Sequence, residues 1–185
     1  MIQPIINDLT IERFLPQVAE AVGPDLPAYR NHIYRVLSYA QHFLGDDPRG
    51  REHIAFALVF HDVGMWTDRE LAYLEPSEAQ AERVRLEQAP HLDGRLVADI
   101  IHWHHKLRPF TGSDADIVNA ARKADWIDAS LGWVRSGVSK SEIAAIEKVI
   151  PVLGFPGVLM RLAKELRDGN RFAGLWRVLT HVYKW

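Results

Sequence analysis

Apolar residues recur along most of this chain at intervals of three and four, the spacing of one face of a helix. In the segment 28–44, Tyr29, Ile33, Val36, Leu37, Ala40, Phe43 and Leu44 follow that rule. Gly45-Asp46-Asp47-Pro48 then stops it, since glycine and proline both disfavour continuation. The same reading predicts helices over about 9–22 (split at Pro16), up to residue 62, then 69–74, 76–88, 92–107, 115–131, 140–149, 157–167 and 172–183. No alternating stretch of strand length, internal repeat or low-complexity segment interrupts the pattern. The expected fold class is all-α, a single-domain helical bundle over residues 1–185.

One run breaks the amphipathic rule. Ile54-Ala55-Phe56-Ala57-Leu58-Val59-Phe60 is apolar on every side and predicts a helix buried all round. It ends in His61-Asp62, and two metal-competent side chains at the tip of a buried element are expensive unless something satisfies them. Neighbouring helical positions project about 100° apart. The pair therefore grips one ion only from an element's end, with further ligands arriving from elsewhere. Gly64 follows, where a left-handed turn is expected to close the helix.

Helical projection separates the other candidates. His32 falls in line with Val36, Tyr39 and Phe43 and turns inward, whereas His42 turns to solvent. On 115–131, Asp128 lies within the apolar side and Asp125 at its edge, so each acid requires a cation or hydrogen-bond donors. On 92–107, His104 points into the middle of the apolar face, His105 lies near its border and His102 points away. His104 suits a general acid or a hydrogen-bond donor in catalysis. Lys106 and Arg108, with His105 beside them, are candidate substrate-binding residues able to hold a phosphate. His53 is expected at the surface or a helix terminus.

Composition narrows the chemistry. The 22 Lys and Arg against 24 Asp and Glu leave a formal charge of −2, unlike the basic footprint of a duplex-binding protein. There is no cysteine, which rules out disulfides and thiolate-held zinc or iron–sulfur centres. The N-terminus lacks the basic and apolar regions of a signal peptide, and no window reaches the length of a membrane span. A cytoplasmic protein with a small-molecule substrate and no membrane partner is expected.

The order His32, then His61-Asp62, then Asp125 within Ala121-Arg122-Lys123-Ala124-Asp125-Trp126-Ile127-Asp128 resembles the H…HD…D signature of the HD-domain superfamily. That resemblance implies an all-α domain binding a divalent metal through His32, His61, Asp62 and Asp125, with a metal-site core at about 28–131 and a helical cover at 132–185. Such a mixed N/O set suits Mn²⁺, Fe²⁺, Co²⁺, Ni²⁺, Zn²⁺ or Mg²⁺ and leaves positions open for water and a substrate oxygen. Asp62 could also bridge to the attacking water or to a second metal ion. Histidines beyond the dipeptide supply that second ion in two-metal members, a part open to His104 and His105. Many members hydrolyse phosphate esters or anhydrides, which implies a phosphohydrolase for a small phosphorylated metabolite or nucleotide. Hydratase-like or di-iron oxygenase chemistry, or a metal-stabilised module without turnover, are the alternatives. Leu74-Glu75-Pro76-Ser77-Glu78 and His104-His105-Lys106-Leu107-Arg108 are similar to an uncharacterised branch of the superfamily. They depart from its usual nucleotidase pattern and lack the Gly-Tyr-Pro of cyclic-dinucleotide phosphodiesterases.

Overall fold

Aspartate and serine caps punctuate the chain where the hydrophobic periodicity restarts. Asp8 accepts from the Thr10 and Ile11 amides, Asp47 from Gly50, and Asp93 from Arg95 and Leu96. Ser139 and Glu142 form a reciprocal capping box. Each satisfies amides that a helix start leaves without partners, an effect worth about 1 kcal/mol per cap. In the computed structural model, which describes residues 1–68 and 73–165, the resulting helices are α1 (Leu9–Phe14), α2 (Pro16–Val22), α3 (Leu26–Leu44), α4 (Pro48–Phe60), α5 (Gly64–Thr67), α6 (Leu74–Gln88), α7 (Gly94–Trp103), α8 (Ala115–Ala129), α9 (Lys140–Val149) and α10 (Phe155–Glu165). A single 3₁₀ turn, Gly23–Asp25, joins α2 to α3. Among the described residues all regular structure is helical, and one continuous core runs from Ile2 to Phe155. The fold is an all-α domain. The expected helix at 172–183 and most of the expected 69–74 segment lie outside the described residues.

The apolar run forms the last two turns of α4, and Ile54 through Phe60 are each 0 or 1% exposed. Surrounding helices close on it: α1, α3, α6, α7 and α8 all touch α4. Phe56 meets Phe14 edge to face at 4.8 Å. Full burial of side chains of this size contributes about 1.5–3 kcal/mol apiece. The longest packing seam runs between α3 and α8, with α7 against α8. As a result, the middle of α3, the end of α4, the end of α7 and the middle of α8 meet inside the domain.

Three expectations are corrected here. Gly64 has no left-handed backbone; it begins α5. It is glycine for want of room, since a Cβ there would lie near the Tyr73 carbonyl oxygen and 3.0 Å from Ser77 Oγ. The helix expected to reach 107 stops at Trp103, so His104, His105 and Lys106 occupy the turn after α7. The Lys106 carbonyl accepts instead from Arg122 Nη1 and Trp126 Nε1 on α8, and Pro109 disfavours a helical Arg108. His53 is buried, with Nδ1 donating to the Arg49 carbonyl and Nε2 accepting from the Asp93 amide, so it joins α4 to the start of α7.

Candidate metal centre

Four helices deliver polar side chains to one buried point. α3 supplies His32, the end of α4 supplies His61 and Asp62, α8 supplies Asp125, and the turn after α7 supplies His104 and His105. His32, His61, Asp62, Asp125 and His104 are all at most 2% exposed. His32 Nε2 stands 3.1 Å from His61 Nε2, 3.8 Å from Asp62 Oδ2 and 3.4 Å from Asp125 Oδ1. His61 Nε2 stands 3.2 Å from Asp62 Oδ2 and 3.7 Å from Asp125 Oδ1. Bonds of about 2.1–2.2 Å place neighbouring donors about 3.0–3.1 Å apart in an octahedral shell and about 3.4–3.6 Å apart in a tetrahedral one. The observed spacings, 3.1 to 3.8 Å, bring His32, His61 and Asp62 close enough to hold one ion, with Asp125 beside them.

On the other side of the two acids lies a further set. His104 Nε2 is 3.5 Å from Asp62 Oδ1, and His105 Nδ1 is 3.2 Å from Asp125 Oδ2. Each carboxylate thus presents one oxygen to the His32–His61 pair and the other to the His104–His105 pair.

The ring orientations have a local cause. His61 and His104 each follow the last residue of a helix while keeping helical dihedrals. Each then donates Nδ1–H to the carbonyl three residues back, His61 to Leu58 at 2.7 Å and His104 to Ile101 at 2.5 Å. That hydrogen bond fixes the tautomer with the Nε2 lone pair directed inward, the arrangement metal-binding histidines use. Tyr29 completes the end of α4 by donating to the Val59 carbonyl at 3.1 Å. His32 uses a side chain instead: Nδ1–H donates to Asp128 Oδ2 at 2.7 Å.

Burial opposes every charge in this cluster, yet the pairings outweigh it at several groups. The Asp62 and Asp125 carboxylates push the His61 ring up to about 10 despite its burial. His32 is also raised against burial, by Asp125 and Asp128. Asp62 is held well below the usual carboxylate range, burial notwithstanding, by His61 and His104. His105 goes the other way: burial and then the neighbouring His104 lower it to about 4, leaving a neutral ring with a lone pair at neutral pH. Asp62 Oδ1 and both oxygens of Asp125 are buried without a hydrogen bond. Buried carboxylate oxygens in that state call for a cation, and the donor set of imidazole and carboxylate suits a divalent transition metal or Mg²⁺.

Comparison with protein-family models, with curated proteins and with solved structures finds no match to this chain.

The remaining sequence candidates separate clearly. Asp128 faces the back of His32 and is gripped by Arg35, while Asp125, one turn earlier, faces the cluster. Lys106 is buried and Arg108 is exposed. His102 pairs with Glu78 at 2.8 Å and His91 with Glu52 at 2.9 Å, both away from the cluster, and His42 is exposed. Three neighbours escaped sequence reasoning. Tyr73 places its hydroxyl 3.3 Å from His104 Nε2. Phe155, at the start of α10, stacks on the His32 ring at 4.3 Å and 17°. Arg35 lies one turn from His32 on α3, 1% exposed. Only the i, i+3 spacing of Arg35 after His32 and of Asp128 after Asp125 signalled a contact, and it does so only once α3 and α8 are known to be adjacent.

Proposed function

We propose that this chain is a divalent-metal-dependent hydrolase of the HD type, acting on a small phosphorylated metabolite or nucleotide. The observation that carries the reading is the pair Asp62 and Asp125, among four histidine nitrogens, with Asp62 Oδ1 and both Asp125 oxygens buried without a hydrogen bond. The sequence order of His32, His61-Asp62 and Asp125 supports the family assignment. A bound divalent ion would lower the pKa of water and offset charge developing on a phosphoryl group.

The chain's own residues have separable tasks in this proposal. His32, His61, Asp62 and Asp125 hold the ion. His104, its Nδ1–H committed to Ile101, keeps Nε2 available to accept or donate a proton beside Asp62. Tyr73 orients that nitrogen through its hydroxyl. Trp66 and Phe155 limit water around the ligands, both packing on Tyr29 next to His32 and His61. Lys106 and Arg108 remain the proposed phosphate contacts.

A second reading draws on the His104–His105 side. If both rings are ligands, Asp62 and Asp125 bridge two ions, and a di-iron oxygenase becomes the alternative. Metal analysis of the purified protein, combined with a screen of nucleotides and sugar phosphates, tests both. One or two ions per chain with phosphate release supports the hydrolase. Two irons with O₂ consumption and no phosphate release replaces it with the oxygenase. Bound metal with neither activity leaves a module without turnover, and absence of any bound divalent ion defeats all three. Among the described residues, no helix is long and apolar enough to cross a membrane.

A further inference from the structure

Burying a guanidinium is expensive, and Arg35 is 1% exposed on a helix whose other inward residues are mostly apolar. It forms a two-point clamp on Asp128, with Nε to Oδ1 at 2.5 Å and Nη2 to Oδ2 at 2.7 Å. Asp128 Oδ2 also accepts from His32 Nδ1 at 2.7 Å. The remaining guanidinium nitrogen, Nη1, donates to the Pro151 carbonyl at 2.9 Å, in the turn that leads into α10. Phe155, four residues on, covers the face of the same His32 ring. One arginine therefore braces both the carboxylate at the edge of His32 and the turn that carries the aromatic ring on its face.

A buried ion pair is weak grounds for a stability role, because an apolar replacement is often as stable. Its placement suggests another use. We infer that Asp128 is a positioning residue, clamped by Arg35, that holds His32 with hydrogen on Nδ1 and its Nε2 lone pair aimed at the metal position. The carboxylate has no freedom to do otherwise, since both oxygens already receive N–H donors from Arg35. It accepts from His32 and cannot donate to it, which excludes the tautomer with hydrogen on Nε2. A carboxylate behind a ligating histidine also makes the ring a stronger donor. The inference rests on the metal reading above but assigns a role to two residues outside the ligand set.

Asp128→Asn keeps the shape and breaks the logic. In one orientation its amide NH₂ opposes Arg35 Nε–H. In the other it opposes Arg35 Nη2–H and donates to His32 Nδ1, forcing the wrong tautomer. The probe is Zn²⁺ alone, titrated against a chromophoric chelator, with the imidazole ¹⁵N–¹H spectrum of the Zn²⁺-loaded protein recorded in parallel. Asp128→Asn is expected to raise the Zn²⁺ Kd by about 10–100-fold and to move or abolish the low-field His32 Nδ1–H signal. Arg35→Lys keeps the charge but not the fork, and is expected to raise the Kd by less, about 3–10-fold. Folded Asp128→Asn with a Kd within about twofold of the parent and an unmoved Nδ1–H signal overturns the inference. Should Asp128→Asn fail to fold, Arg35→Lys decides by the same criterion. A parent protein that binds no Zn²⁺ would instead overturn the metal reading itself, so the two failures are distinguishable.

Discussion

Gly64 lies two residues beyond Asp62, and replacing it with alanine probes how tightly the turn that carries His61 and Asp62 is built. The added Cβ would sit near the backbone oxygen of Tyr73, 3.0 Å from Ser77 Oγ and 3.1 Å from Pro76 Cβ. The first neighbour is main chain at the start of α6, so no rotamer change relieves it. Either α6 or the 61–64 turn must shift, at a cost of about 1–3 kcal/mol for overpacking. That shift also stretches the 3.0 Å bond from the Gly64 amide to Ser77 Oγ, adding about 0.5–1.5 kcal/mol. Gly64→Ala should therefore destabilise by about 1.5–4.5 kcal/mol, each kcal/mol lowering the melting midpoint by about 2–4 °C in a chain of this size. Gly157→Ala is the internal control. It lies in the first turn of α10 with no neighbour within 4 Å and no positive φ, so it should stabilise by about 0.4–1 kcal/mol. Urea denaturation followed by circular dichroism measures both. A Gly64→Ala loss below about 0.5 kcal/mol, the range of an inert surface change, would refute the steric argument.

Three further outcomes are expected. His61→Ala and Asp62→Ala should each abolish divalent-metal binding and turnover in a protein that remains helical; full metal content in either variant, by elemental analysis, contradicts the ligand assignment. Metal binding should release protons. In the metal-free protein the His61 ring is raised from about 6.5 to about 10, so its pairing with the acids is fully present below about pH 6.5 and lost as pH rises through about 10. A binding ion must expel that proton, so affinity rises with pH. Calorimetric binding heats at about pH 7.5 should then vary with buffer ionisation enthalpy, and identical heats in two buffers would count against it. His104→Ala should lower turnover by about 10²-fold or more with one ion retained if the ring moves a proton. A fall from two ions to one identifies it as a ligand, and no change in either quantity removes it from the site.

The elements were legible where one force dominated. The apolar run 54–60 could only be buried, and each of its residues is 0 or 1% exposed. The inward turn of His32 followed from helical angle alone. Angle failed for choosing between Asp125 and Asp128, because both are buried and what separates them is the edge of His32 each faces, Nδ1 for Asp128 and Nε2 for Asp125. Arg35 was unreadable for a related reason. A buried arginine is rare without a partner, and its partner lies 93 residues away on α8. Helix ends were misjudged where tertiary hydrogen bonds intervene, as where α8 captures the Lys106 carbonyl. Even so, His104 is buried, since its dihedrals continue the helix by one residue. Gly64 is the opposite case: its position at the end of α4 is legible, but the need for glycine comes from the proximity of α6, which sequence does not carry.

The division of labour between α4 and α10 bears on how such a protein could diversify. His61 and Asp62 hang from a helix with no exposed side in its last two turns, so changing their surroundings means repacking the domain. The face of His32 is covered instead by α10, which reaches the body through Phe155, Leu162 and the Arg161–Asp25 ion pair while Met160 stays exposed. Most of α10 beyond Phe155 lies outside the cluster that encloses α4, with Leu162 packing on Met65, Tyr73 and Leu74 instead. Under the proposed metal reading, the covering of His32 can therefore vary on α10 while His61 and Asp62 stay fixed, and variation aimed at the proposed site belongs on the inward positions of α10, with α3, α4 and α8 held constant.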